Sequence, residues 1–280
     1  MTPAASPPTL LGGRYRLERI LGTGGMGVVY RARDLLHEAF GEPDASVALK
    51  LLGATFAASP DAHVLLYSEF ALTRSVQHPH VVRAFSFDVD IEHKLAFFTM
   101  ELMHGMTLDR LLMECPQGLP WHELQPLALQ LLDALACTHR QGVLHGDIKP
   151  ANLLLGEQGL RLFDFGLGHA QAQAAAGLPG LSRNRLNAWT PAYAAPELIA
   201  GGALSASADL YGAACVLYEL AQGGRPGEPS PNQALPRPRQ LPRHCWPALR
   251  SALVRDPEHR CITVAELREA LGEPRRRWFL

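Results

Sequence analysis

His145-Gly146-Asp147-Ile148-Lys149-Pro150-Ala151-Asn152, followed further on by Asp164-Phe165-Gly166, decides the reading of this chain. The first run sets an acid (Asp147), a cation (Lys149) and an amide (Asn152) on one short segment. A second acid, Asp164, comes after the apolar stretch Leu153-Leu154-Leu155 and a turn. A phosphoryl group in transfer spreads negative charge over its oxygens, so catalysis is mostly positioning and charge neutralisation. Asp147 can orient an attacking hydroxyl and accept its proton, and Lys149 can meet a γ-phosphate. Asn152 and Asp164 offer the hard oxygens that magnesium prefers. For His-Gly-Asp by itself a capped turn is the competing reading, because Asp and Asn at loop ends commonly serve the backbone. The whole run is too specific for that reading.

Working outward, Gly22-Thr23-Gly24-Gly25-Met26-Gly27-Val28-Val29 has the form G-x-G-x-x-G-x-V. That spacing alone is weak, and its flanks decide it. Tyr15 to Leu21 alternates apolar and polar, and Val28 to Ala32 is β-branched and aromatic, which predicts strand–loop–strand. A dinucleotide-binding fingerprint would open into a helix instead. Backbone amides of such a glycine lid can cover a triphosphate with no side chain in the way. Next, Val47-Ala48-Leu49-Lys50-Leu51-Leu52 puts a lysine inside an apolar strand. A buried lysine is costly unless paired, although a lone strand lysine more commonly points to water. The expected partner is Glu69, on a helix running roughly from Asp61 to Val76 and stopped by His78-Pro79.

Together these residues resemble the eukaryotic-like serine/threonine protein kinase family of bacteria, over nearly the whole chain from about Tyr15 to about Leu271. The resemblance implies an α+β, bilobal fold with a β-rich N-lobe and a mainly helical C-lobe. It implies a kinase domain over about 14–272, with the N-lobe at about 14–100 and the C-lobe at about 104–272. Gly22, Gly24 and Gly27 resemble the phosphate-covering loop, with Leu21 beside it, and Lys50 the lysine that holds the α- and β-phosphates, with Glu69 its partner. Met100 resembles the gatekeeper, Glu101 to Met103 the adenine-facing hinge, and Val29, Ala48 and Leu154 the apolar walls around the adenine ring. Asp147 resembles the catalytic base and Asn152 and Asp164 the magnesium ligands. Ala195-Pro196-Glu197 resembles the end of the activation segment, Arg260 the arginine paired with Glu197, and Asp209 the brace of the catalytic loop. ATP and Mg²⁺, with Mn²⁺ as a substitute, are the implied cofactors. Protein hydroxyls are the implied substrates, and a cognate phosphatase or regulatory partner is an implied associate.

Departures from the family pattern shape the expectations. Gly146 stands where an arginine usually pairs with an activation-segment phosphate, so that phosphate loses its main anchor. His-Gly-Asp also resembles aminoglycoside- and choline-type small-molecule phosphotransferases, but those tend to carry a histidine at the Lys149 position and lack the glycine lid, Asp-Phe-Gly and Ala-Pro-Glu. Lys149-Pro150 resembles the serine/threonine type more than the tyrosine type. The stretch from Gly27 to Lys50 is long, which predicts an extended loop over Asp34 to Ser46. Residues Ala221 to Trp246 are short for the family, which leaves a pseudokinase or docking module as a third reading. Within the activation segment, Thr190 resembles the family threonine that hydrogen-bonds toward the catalytic aspartate and lysine. Ser182, flanked by Arg183 and Arg185, has no dedicated phosphate anchor.

Composition adds bounds. The chain has 280 residues, 47% of them hydrophobic and 19% charged, with a net charge of −1, so no basic excess points to nucleic acid. Five scattered cysteines without C-x-x-C spacing fit reduced thiols and a cytoplasmic setting, and the 12 histidines form no metal-ligand spacing. No apolar run long enough for a transmembrane span occurs, and residues 1–13 lack a signal-peptide pattern and are expected to be a disordered tail. Leu124 to Arg140 and Ala206 to Gln222 read as helices, and Pro226 to Pro247 as loop. Residues 273–280 end in a basic and aromatic tip, Arg275-Arg276-Arg277-Trp278-Phe279-Leu280, expected to pack on the domain.

Overall fold

The computed structural model describes residues 8–24, 27–52, 62–166, 168–170, 190–227 and 235–272. The N-lobe is a six-stranded antiparallel sheet among those residues, in the order β1-β2-β3-β4-β6-β5. Its strands are β1 (Leu10–Leu11), β2 (Tyr15–Thr23), β3 (Gly27–Asp34), β4 (Ser46–Leu52), β5 (Ala84–Asp90) and β6 (Leu95–Met100). Side chains alternate across a strand. Leu49 and Leu51 therefore join Leu11, Tyr15 and Phe97 on one face, while Ala48 and Leu52 join Phe98 and Met100 on the other. Helix α2 (Ala62–Ser75) covers that second face with Leu66 and Phe70. Lys50 is in phase with Ala48 and Leu52, so the strand's own period turns it toward α2.

Two expectations about the N-lobe are corrected. Residues up to 13 were expected to form a disordered tail, but Leu10–Leu11 pairs with β2, and Leu11 is fully buried. Gly12 is tied in as well, its N–H donating to the buried Asp90 carboxylate at 2.9 Å. The stretch from Asp34 to Ser46 is not simply loop, because Leu35–Ala39 forms helix α1. Asp34 caps it by accepting from the Leu36 and His37 N–H groups, and Arg14 holds the same carboxylate at 2.8 and 2.6 Å.

The C-lobe is built on two long helices. Helix α4 (Trp121–Arg140) buries Leu124, Leu131 and Leu135 along one stripe, starting three residues before the expected Leu124. Helix α6 (Ala206–Gln222) has the expected bounds, with Ser205 capping its start and Gly223 (φ +80°) ending it in the left-handed conformation. Helices α3 (Leu108–Glu114), α5 (Pro196–Ile199), α7 (Trp246–Ala252) and α8 (Val264–Leu271) pack around them. Trp246 thus opens a helix inside the stretch expected to be loop. Strands β7 (Met106–Thr107), β9 (Leu153–Gly156) and β10 (Gly159–Leu162) form a small sheet, and β8 (Val143–Leu144) pairs with β11 (His169–Ala170). The catalytic-loop motif lies between β8 and β9, and Asp164-Phe165-Gly166 follows β10. Ser182, Arg183, Arg185 and the tip at 273–280 lie outside the described residues.

Candidate active site

The β2–β3 hairpin forms the glycine lid. Thr23 pairs with Val28, and the Gly24 N–H donates to the Gly27 carbonyl at 2.9 Å, closing the turn. Leu21, Gly22 and Gly24 are exposed at its tip, and Gly25 and Met26 lie outside the described residues. Behind it, Val29, Ala48 and Met100 line one apolar cluster, to which Met103 of the hinge also packs. Leu154 is half-buried on β9, on the C-lobe side of the cleft.

The Glu101 side chain does not face the cleft. It accepts from the Arg83 N–H at 2.9 Å and from the Arg161 guanidinium at 2.9 Å, and the Glu101 N–H donates to the Arg83 carbonyl at 2.9 Å. The Arg161–Glu101 pair ties the hinge to β10 of the C-lobe, and Arg161 also donates to the Val81 carbonyl. Sequence reasoning missed this clamp, because nothing in the spacing marks Arg161.

Lys50 is 6% exposed and bridges two carboxylates. Its Nζ donates to Glu69 Oε1 at 2.5 Å and to Asp164 Oδ1 at 2.8 Å. Burial works against the Lys50 ammonium, but Asp164 and Glu69 outweigh it and hold its pKa above the ordinary lysine value. Burial dominates at Glu69 and, with Asp164 close by, pushes its carboxyl up to about 7 while Lys50 pulls the other way. At Asp164 burial also pushes upward, but the Lys50 ammonium prevails and holds the group at about 2. Asp164 sits at φ +68°, a left-handed conformation that is strained for a residue with a Cβ and that concentrates at functional sites. Phe165 behind it is fully buried against the His145 ring, with ring centroids 4.6 Å apart.

The catalytic-loop motif is held from below by Asp209. Its buried carboxylate accepts from the His145 N–H at 2.9 Å, the Gly146 N–H at 2.7 Å and the His139 ring at 3.0 Å. Gly146 takes φ +83°, which glycine adopts without the steric cost a Cβ brings. Gly212 of α6 lets the loop come close, since a Cβ there would meet the Ile148 carbonyl at 3.2 Å. The His145 ring lies with Nε2 3.1 Å from the Phe163 carbonyl and Nδ1 3.2 Å from the Asp147 N–H. That pairing assigns the proton to Nε2 and makes Nδ1 the acceptor. The links made by His139 and by the His145 ring were not legible beforehand, because both run between segments distant in sequence.

Above the loop, Lys149 Nζ lies 2.6 Å from Asp147 Oδ2 and donates to Thr190 Oγ1 at 2.9 Å. Asn152 Nδ2 donates to the Asp147 carbonyl at 2.8 Å and approaches its carboxylate at 3.2 Å. Arg260, a buried residue, holds Glu197 at 2.7 Å, and the Tyr193 hydroxyl donates to Glu219 at 2.6 Å. The structure therefore brings Lys50, Glu69 and Asp164 into one cluster and Asp147, Lys149, Asn152 and Thr190 into another.

The donors fit magnesium. Asn152 uses its Nδ2 on Asp147, which leaves Oδ1 without a protein partner among the described residues, and the Asp164 side chain is 36% exposed to the cleft. Among the described residues no group of three or more His, Cys, Asp or Glu forms a cage of its own. Magnesium is ordinarily held by one or two protein oxygens with substrate phosphates and water supplying the rest.

A β-rich lobe with a glycine lid, set over a helical lobe that carries this loop, defines the bilobal protein-kinase fold. Residues 15–268 match the protein kinase domain, and the chain belongs to that family, in its bacterial eukaryotic-like serine/threonine branch. It is 34% identical to the serine/threonine-protein kinase PkaA of Streptomyces coelicolor, over 89% of this chain and 48% of that protein. It is 30% identical to the serine/threonine-protein kinase PknB of Mycobacterium tuberculosis, over 95% of this chain and 44% of that protein. The chain thus spans under half the length of these relatives. Among solved structures, the kinase domain of Mycobacterium tuberculosis PknI aligns with a TM-score of 0.69 and 25% identity, covering 96% of this chain and 98% of that one. No helix among the described residues is long and apolar enough to cross a membrane.

Proposed function

We propose that this chain is a magnesium- and ATP-dependent kinase acting on serine and threonine hydroxyls of proteins. The observation that carries the reading is the double bridge of Lys50 to Glu69 and Asp164, together with the Asp147–Lys149–Thr190 chain on the motif segment. In this reading Gly22, Gly24 and Gly27 cover the phosphates, and Leu21, Val29, Ala48, Met100, Met103 and Leu154 enclose the base, which meets the Glu101 backbone. Lys50, oriented by Glu69, binds the α- and β-phosphates. Asn152 and Asp164 hold the magnesium, whose bound charge neutralises the phosphate oxygens. Asp147 orients the acceptor hydroxyl and takes its proton as the oxygen attacks, while Lys149 offsets charge on the transferring group.

Gly146 does not favour the small-molecule phosphotransferase reading, since its backbone conformation and its bond to Asp209 account for a glycine there. A pseudokinase is disfavoured by the same double bridge. The loss of an arginine at this position supports catalysis that does not depend on activation-segment phosphate. Lys149 reaches Thr190, and Tyr193–Glu219 and Arg260–Glu197 tie down the following residues through protein groups alone. We further place the protein in the cytoplasm, which all five cysteines being free thiols supports, with a phosphatase or regulatory partner as its counterpart.

The test is to incubate pure protein and Mg²⁺ with labelled ATP and, in separate reactions, a generic protein substrate and an aminoglycoside. Label on protein serine or threonine supports the proposal. Label on the aminoglycoside alone, or none at all, contradicts it.

A further inference from the structure

A second cavity, of about 730 Å³, lies beside the acceptor position and takes no part in the chemistry above. One wall is the chain from Pro191 to Ile199, another is Tyr211 and Cys215 of α6, and three arginines, Arg225, Arg250 and Arg255, stand around it. All three arginines are exposed, and none has a carboxylate partner among the described residues. The nearby carboxylates are already engaged, Glu197 by Arg260 and Glu219 by the Tyr193 hydroxyl. Burial raises the Tyr211 hydroxyl and the Cys215 thiol to about 12, with Arg255 acting against it in both. Neither wall group ionises near neutral pH, so among the lining residues only the three arginines carry charge, while the half-buried Glu219 carboxylate acts on Arg225 from outside the lining. Ile199, 57% exposed, adds an apolar edge.

The cavity's position gives this charge a use. Thr190 is bonded to Lys149, which pairs with Asp147, so the wall at residues 191–194 begins one side chain away from the hydroxyl-binding position. Ala194 and Asp147 also line a common smaller cleft. A polypeptide that presents its hydroxyl to Asp147 must run past this wall, and its flanking side chains then meet the arginines. Guanidinium groups pair with carboxylates in a planar, two-pronged geometry, and mixed apolar and charged cavities of this size suit a short peptide segment.

We propose that Arg225, Arg250 and Arg255 form an acid-selective docking site that makes acidic stretches flanking the acceptor serine or threonine the preferred substrates. The proposal rests on the protein-kinase reading for its use, but the docking itself does not. It is therefore tested first by binding. The whole chain is titrated into a fluorescein-labelled peptide in which alanine replaces the acceptor and aspartates flank it, alongside matched peptides with flanking alanines or lysines.

Affinity for the acidic peptide should exceed that for the alanine peptide by about tenfold, the sum of a few exposed charge pairs, and should weaken as salt is raised. Arg225→Ala, Arg250→Ala and Arg255→Ala combined should remove the difference. Arg255→Glu alone, a single charge reversal at an exposed position that guards against misfolding of the triple variant, should shift the preference toward the lysine peptide. With serine restored, the same order should appear in kcat/KM, while the alanine-flanked peptide keeps its rate in the variants. Equal affinity of the wild type for the acidic and alanine peptides overturns the proposal, even if both are phosphorylated. Acidic binding that survives both sets of substitutions overturns it as well. Arginine-dependent binding without any phosphorylation would leave the docking site standing and count against the kinase reading instead.

Discussion

Replacing Lys50 by Met and Glu69 by Gln, singly and together, probes the double bridge. Lys50 holds Glu69 at 2.5 Å and Asp164 at 2.8 Å, so the two substitutions remove different things. Lys50→Met removes the cation that the proposed mechanism assigns to the phosphates, and loss of one such electrostatic group costs about 10²–10³ in rate. Glu69→Gln keeps the shape of the side chain and leaves the Asp164 contact to hold Lys50 in the cleft. Its loss should be smaller, about 10-fold, or about 1.4 kcal/mol. If Glu69 acts only through Lys50, the double variant loses no more than Lys50→Met, and the coupling energy equals that whole 1.4 kcal/mol, within the range of roughly 0.5–3 kcal/mol seen for residues in contact. Initial rates at saturating ATP, ATP affinity and a thermal melt of each variant separate catalysis, binding and folding. Additive losses would refute the reasoning, making Glu69 an ordinary buried helix residue.

Asp147→Asn should cut turnover by about 10²–10⁴-fold while ATP still binds, whereas Asp164→Ala should weaken magnesium–ATP binding itself, as titration calorimetry of both variants would reveal. Glu69 also gives a pH signature in the nucleotide-free protein. Its folded pKa of about 7 lies above the unfolded value of 4.5, so its stabilising effect is fully present below pH 4.5 and is lost as pH rises through 7. Wild-type stability relative to Glu69→Gln should therefore fall as pH rises through that window, and a difference flat with pH in urea melts would count against it. Phosphatase-treated wild type and Ser182→Ala should show equal initial rates without a lag. A dephosphorylated enzyme that is silent until Ser182 is rephosphorylated would contradict the role given to Gly146.

The motif-bearing half of the site was legible because the chemistry constrains residue type and spacing locally. Asp147, Lys149 and Asn152 lie close together on a segment that ends in the 3₁₀ turn Pro150–Asn152, and their chemical roles were read from residue type and order, whereas their mutual contacts were not. The pairing of Lys50 with Glu69 was legible for a different reason: a lysine in an apolar strand needs a partner, and α2 offered one buried acid. What escaped were the long-range supports. The Glu101–Arg161 clamp, the His139–Asp209 bond and the arginine-rimmed cavity each depend on how segments meet in space, which no local pattern encodes. In the fold, strand period and helix stripe gave the major elements. Helix α1 was missed because five residues are too few for a periodic signal, and its cap, Asp34, draws much of its hold from Arg14 in the β1–β2 turn.

The central claim, that the Asp147 site transfers the γ-phosphate of ATP to a protein hydroxyl, is tested most directly by mass spectrometry of a serine-containing peptide incubated with Mg²⁺-ATP and either wild type or Asp147→Asn. The account predicts one added phosphate on the serine with the wild type and almost none with the variant, at equal ATP occupancy. An unmodified peptide with the wild type across acidic, neutral and basic sequences, or equal modification by the variant, would contradict it.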